Sequence, residues 1–196
     1  MDFSKSTLAN MNEIMIRSAR VGCGTIVKRL VQFGASKFNK GMAAAAEGGH
    51  PDIVRFFINE GAGKWNKGMA CAAEGGHPEL VHFFIEKGAN DWNWGMSCAA
   101  FGGHAQLVQM FIEKGATNWN CGMVSAGRGG HIQLAQFFIE KGANDWDWAL
   151  ELSADGGHLE LVRLFIEKGA TNLEDAKDAA IFKGNVEVVE YFDSLC

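Results

Sequence analysis

Proline is nearly missing from this chain, with two residues in 196, and tyrosine occurs once. Cysteine is sparse and odd in number: Cys23, Cys71, Cys98, Cys121 and Cys196 never fall in a C-x-x-C spacing, which argues against both a disulfide framework and a zinc site. A basic excess is also lacking, since 18 Lys and Arg face 23 Asp and Glu for a net charge of −5. Nucleic-acid binding through a cationic surface is therefore disfavoured. No apolar run approaches the roughly 18 residues of a membrane span. The N-terminus, opening Met1-Asp2-Phe3, has neither the basic nor the apolar segment of a secretion signal, so a cytoplasmic protein is expected. Disorder is excluded as well, because apolar residues make up 47% of the chain and charged residues only 21%.

What the chain has in abundance is glycine, 25 residues of it. Without collagen periodicity, so much glycine marks recurrent turns. Gly48-Gly49-His50 returns as Gly75-Gly76-His77, Gly102-Gly103-His104, Gly129-Gly130-His131 and Gly156-Gly157-His158, each time after 27 residues. The same register reaches Gly22-Cys23 backward and Gly184-Asn185 forward. The chain is thus an array of seven units: an N-terminal capping repeat over 9–35, five central repeats over 36–170 and a C-terminal capping repeat over 171–196.

Each unit reads as two short helices. In the copy beginning at Asn90, Asn93 is expected to cap a first helix running from Trp94 to about Phe101, with Asn12, Asn39, Asn66, Asn120 and Asp147 as its equivalents. At 100° per residue Gly95, Met96, Ala99 and Ala100 share one face, the packed one. Gly102-Gly103 makes the turn and His104 opens a second helix over about Ala105 to Lys114, stopped by Gly115. There Leu107, Val108, Met110, Phe111 and Ile112 cover far more than a single-sided apolar stripe, so neighbouring units must complete the burial. Gln106, Gln109 and Glu113 are left as a solvated outer ridge.

The run from Ala72 to Ala89, Ala-Ala-x-Gly-Gly-His-x-Glu-Leu-Val-x-x-Phe-Ile-Glu-Lys-Gly-Ala, resembles the ankyrin repeat from its first helix to the end of its second, over about 18 of the 27 residues of a unit. The resemblance implies an all-α, ankyrin-like solenoid of helix-turn-helix repeats, and a scaffold that binds proteins. The departure is a unit about six residues shorter than the usual 33 or so, without the Thr-Pro-Leu-His entry, so the β-hairpins are expected to be shortened or absent. Shortened arrays of this kind resemble those that large DNA viruses of amoebae carry in many copies, which would place the protein in the host cytoplasm.

No catalytic constellation emerges, and no enzyme is expected. No cofactor is expected either. The histidine column cannot share a metal, because stacked helices stand about 8–10 Å apart while ligands of one zinc lie within roughly 4 Å of each other. These histidines read as turn residues bonded to backbone groups of their own or the adjacent unit. Phe38, Trp65, Trp92, Trp119 and Trp146 read as apolar lids that close the core beneath a short loop.

The face of the first helix turned away from the core varies between units, so packing does not dictate it. Its columns supply Lys40, Lys67, Trp94, Cys121 and Trp148, then Val124, Glu151 and Asp178, then Phe101, Arg128 and Asp155. Aromatic residues amid polar ones are what interface centres look like. These eleven residues are the candidate partner-binding face of a monomeric scaffold, with a protein as the expected partner and no membrane or nucleic acid. Two alternatives stand beside it: a nucleic-acid-binding array of stacked aromatics, and a purely structural or self-associating solenoid. Charge is uneven along the array, with Lys and Arg ahead of Asp and Glu by 11 to 9 over residues 1–98 and behind by 7 to 14 over residues 99–196.

Overall fold

The computed structural model describes residues 5–195; Met1 to Ser4, which precede the repeat register, and Cys196, the last of the cysteines, lie outside the described residues. Among the described residues there are fourteen α-helices and no strand, so the hairpin fingers expected to be shortened or absent are absent there. The helices fall into two compact units. The first holds α1 (Lys5–Arg20), α2 (Gly24–Gln32), α3 (Phe38–Glu47), α4 (Pro51–Asn59), α5 (Trp65–Glu74) and α6 (Pro78–Glu86). The second holds α7 (Trp92–Phe101), α8 (Ala105–Glu113), α9 (Trp119–Gly129), α10 (Ile132–Glu140), α11 (Trp146–Gly156), α12 (Leu159–Glu167), α13 (Leu173–Lys183) and α14 (Val186–Asp193). Within each unit the first helices of successive repeats pack side by side, and each carries its own second helix. Each unit is thus an ankyrin-like helical solenoid.

Glycine ends both helices of a repeat in the same way. After α4, Gly61 adopts φ +101°, its N–H donates to the Ile58 carbonyl, and the N–H of Ala62 donates to the Phe57 carbonyl. After α3, Gly49 takes φ +75°, with the N–H of Gly49 and His50 donating to Ala46 and Ala45. Both are the paired bonds of a Schellman motif, which requires the left-handed residue that glycine supplies. Gly48 is constrained differently. A Cβ there would run into the carbonyl oxygen of Arg20 in the preceding repeat.

That carbonyl is occupied by the histidine. Nε2 of His50 and His77 donates to the carbonyls of Arg20 and Glu47 at 3.0 Å each. In the second unit His131 and His158 do the same to Phe101 and Arg128 at 2.9 and 3.0 Å. The partner is always 30 residues back, at the C-terminus of the preceding repeat's first helix, whose last carbonyls have no intrahelical donor. Asn185 stands in the histidine column at the end of the array and keeps the role, its Nδ2 donating to Ala154 and Asp155 at 2.7 and 3.0 Å.

The asparagine column proves different from expectation. Asn39 and its equivalents do not cap their own helices, which begin one residue before them, at Phe38, Trp65, Trp92, Trp119 and Trp146. Each side chain instead accepts two backbone N–H groups from the next repeat. Asn12 accepts from Ser36 and Lys37, both at 2.9 Å, and Asn39 from Gly63 and Lys64, both at 2.9 Å. Asn66 serves Asn90 and Asp91, Asn93 serves Thr117 and Asn118, and Asn120 serves Asn144 and Asp145. Asp147 closes the series by accepting from Thr171 and Asn172. The positions immediately before the helices are held by such residues as Lys37 and Lys64, which offer no side-chain cap. A loop shortened to a few residues has its backbone donors tied by the neighbour.

The core is a column of phenylalanines against a column of glycines. Phe57, Phe84, Phe111, Phe138 and Phe165 are fully buried, alongside Met15, Met42, Met69, Met96 and Met123. A Cβ at Gly41, Gly68, Gly95 or Gly122 would land on the ring of the phenylalanine of its own repeat. The tryptophans expected to be core lids are only half-buried, because their position is the first residue of the helix, at the rim. One repeat breaks the pattern. There Ala149 stands in the glycine column, and Phe165 Cε2 lies 3.3 Å from where a Cβ on Gly127 would be. Ser153, also in that repeat, has its buried Oγ unpartnered and 2.7 Å from the same point. Other repeats have alanine in the Gly127 column, at Ala46, Ala73, Ala100 and Ala154, so Gly127 is the accommodation to Ser153.

Two outcomes are expected. Ser153→Ala removes a buried, unbonded hydroxyl and should stabilise by about 1–2 kcal/mol. Gly127→Ala should gain nothing in the native background yet add up to about 1 kcal/mol on top of Ser153→Ala, since only helix propensity then remains. Urea titrations of the four-member cycle measure the coupling, and strict additivity would refute the packing account. The second outcome concerns Asp147, whose carboxyl is held below the usual range by the N–H bonds from Thr171 and then Asn172. A folded pKa below the unfolded one stabilises fully above the ordinary Asp value of about 4 and loses that stabilisation as pH falls through the folded value. Asp147→Asn should therefore be less stable than the parent at pH 7, with the deficit shrinking towards pH 3. A deficit independent of pH would show that the charge on Asp147 is irrelevant.

Candidate interaction face

The candidate face is built from the side of the first helices that the core does not use. In the first unit it is charged. Lys40 on α3 is exposed and Lys67 on α5 is half-buried, while Ala43 and Ala70 between them are buried by the side-by-side packing of the first helices. Arg20 at the end of α1 pairs with Glu47 of α3 at 2.8 Å. Arg20 and Glu47 thus compensate each other, while Lys40 and Lys67 add positive charge to this edge.

In the second unit the same face is aromatic. Trp94 on α7 and Trp148 on α11 are 41% and 45% exposed, which is unusual for tryptophan, and Phe101 at the end of α7 is exposed as well. Trp94 and Phe101 lie seven residues apart, two helical turns, and so on one face of α7. Cys121 on α9, in the Trp94 column, is half-buried. Val124 is a correction. It is only 2% exposed, because its column, like Ala43 and Ala70, faces the neighbouring first helix; it is a packing residue and offers nothing to a partner.

The charges of this unit are organised around Asp155. The Arg128 guanidinium lies 5.9 Å from the Phe101 ring centroid and its Nε stands 3.5 Å from Asp155 Oδ2, while Lys183 Nζ is 3.4 Å from Asp155 Oδ1. A row therefore crosses α7, α9, α11 and α13 as aromatic, cation, anion, cation. Asp155 is largely neutralised, so the unbalanced negative charge of the face rests on half-buried Glu151 and exposed Asp178. Phe182, in the Phe101 column, is 86% exposed and is the residue the choice of candidates left out. Its column was legible in the sequence; its exposure was not.

Reactive chemistry is weak here. None of Cys23, Cys71, Cys98 and Cys121 is in a disulfide. Burial pushes the Cys71 thiol up to about 11, with the carboxylates of Glu74 and Glu47 adding to the effect. Among the described residues no group of three or more His, Cys, Asp and Glu is placed to hold a metal ion. Nor is any described helix long and apolar enough to cross a membrane.

Comparison with known proteins agrees with this architecture. A family model for ankyrin repeats, in three copies, matches residues 41–122. Ankyrin repeats are in general protein–protein interaction modules without catalysis of their own. Among curated proteins, none matches the chain.

Cysteine reactivity tests the packing of this face. With Cys23 exposed and Cys71 half-buried and held as a thiol, iodoacetamide at pH 8 should modify Cys23 at least about tenfold faster than Cys71. Peptide mass spectrometry over a time course reads both sites, and equal rates would contradict the burial of the α5 face.

Proposed function

We infer that this chain is a protein-binding scaffold whose principal contact surface is the first-helix face of its second unit. The observation that carries this reading is the exposure of Trp94, Phe101 and Trp148 beside charged side chains, where ordinary solvated surface would carry none of them. Large aromatic anchors within a polar rim supply most of the energy of typical interfaces. Exposed charges contribute little affinity but steer encounter and fix register. With Asp155 already engaged by Arg128 and Lys183, the negative rim is Glu151 and Asp178, and it suits a partner that sets an apolar anchor beside a basic flank. The scaffold works in the cytoplasm in this reading. The short unit and its likeness to viral arrays make a host protein the natural partner.

The test is comparative capture. Trp94→Ala/Trp148→Ala should lose its bound protein from cytoplasmic extract, by about 2 kcal/mol or more for a true anchor, while Gln106→Ala/Gln109→Ala on the outer ridge retains it. Both variants should melt with the parent. Glu151→Lys/Asp178→Lys should slow association with the captured protein and flatten its salt dependence. Binding lost through the outer ridge, or untouched by loss of both tryptophans, would put the interface elsewhere.

A further inference from the structure

The uncovered face of α13 and α14 is not the polar surface that a solvated face of a solenoid ordinarily presents, since Ile181, Val186 and Leu195 are exposed there. Between α13 and α14 lies a slot of about 300 Å³ lined by the apolar Leu173, Ile181, Phe192 and Leu195 and by the charged Glu174, Lys177 and Asp178. An engineered cavity of about 150 Å³ holds benzene, so this slot admits an aliphatic side chain with room to spare. Ile181 is 53% exposed, whereas the residue of its column one repeat earlier, Ala154, is fully buried. Lys177 replaces the methionine or leucine of the buried column and is tied to Asp193 at 2.6 Å.

The first hairpin has the complementary character. Ile14, Val21 and Ile26 are exposed on α1, the turn and α2; Ile26 is 47% exposed where Ile53 of its column is 7%. Over residues 6–32 the cations Arg17, Arg20, Lys28 and Arg29 outnumber the single carboxylate Glu13, a net charge of +3 that falls to +2 once the pairing of Arg20 with Glu47 is counted. Over residues 173–195 the carboxylates of Glu174, Asp175, Asp178, Glu187, Glu190 and Asp193 face Lys177 and Lys183, a net charge of −4.

We propose that copies of this chain associate head to tail, the slot of α13–α14 on one copy seating the exposed apolar edge of α1–α2 on the next. Charge decides the polarity. Two first hairpins or two last hairpins would set like charges face to face, so a symmetric dimer is disfavoured and the mixed pairing is attractive. A heterologous contact of this kind leaves a free first hairpin at one end of the assembly and a free slot at the other, so growth continues past the dimer. The hydrogen-bond ladders do not cross the contact. Cys23 stands where the imidazole would be, and the backbone donors equivalent to Ser36 and Lys37 fall inside α1, at Ala9 and Asn10. The contact therefore rests on apolar burial and charge, and it weakens with salt.

Sedimentation of the full chain over a concentration series at low and high salt tests this. Weight-average mass should rise past twice that of the monomer at low salt, with association at least about tenfold weaker at 0.5 M salt. Ile181→Lys and Ile26→Glu, both at exposed positions, should each give monomers of unchanged helicity and melting temperature. Mixed in equal amounts, they should form a heterodimer and nothing larger, since one retains a working first hairpin and the other a working slot. A parent that stays monomeric at every concentration, an assembly that stops at a symmetric dimer, or variants whose mixture fails to pair would each overturn the proposal.

Discussion

The hydrogen bonds that pass from one repeat to the next are what the rest of the structure depends on. A helix of nine or ten residues leaves much of its backbone unsatisfied at its ends, and a hairpin of two such helices cannot bury its apolar faces alone. In each unit the imidazole of one repeat closes the C-terminus of the preceding first helix, and the asparagine of one repeat gathers the loop donors of the following one. The two bonds run in opposite directions along the chain. Within each unit a repeat is thereby both capped by its neighbours and a cap for them, which explains why both columns persist while the outward columns vary.

Packing depends on how closely the first helices and their partners approach. Glycine at the positions of Gly41 and Gly68 admits the phenylalanine ring of the same repeat, and glycine at Gly48 admits the carbonyl of the repeat before. The arrangement tolerates little additional volume. Where Ala149 and Ser153 add atoms to one repeat, Gly127 gives them up in the adjacent one. That exchange crosses a contact between α9 and α11, so each repeat's composition is intelligible only together with its neighbour's.

The outward columns vary where these constraints relax. The first unit uses the outward face for paired charges and the second uses it for tryptophan and phenylalanine, on the same backbone. Asp155 shows why a list of charged residues misreads such a surface. Its negative charge is paired with Arg128 and Lys183, and the charge left unbalanced on this face is that of Glu151 and Asp178.

The sequence by itself determined the period, the two helices of each unit, the turn glycines and the buried faces, because each follows from spacing along a single chain: 27-residue recurrence, 3.6-residue periodicity and the left-handed backbone that glycine allows. It also separated the outer ridge of Gln106, Gln109 and Glu113 from the core. Only the tertiary structure decided what depends on contact between repeats. Asn39 read locally as a cap, since its chemistry suits one, yet its oxygen is used by residues 24 and 25 positions on. Val124 read as surface beside Trp94, yet the next first helix covers it. Trp119 read as core by its size, yet its place at the first turn of α9 leaves it at the rim. Each of these was set by distance in space between segments far apart in sequence, which no local pattern encodes.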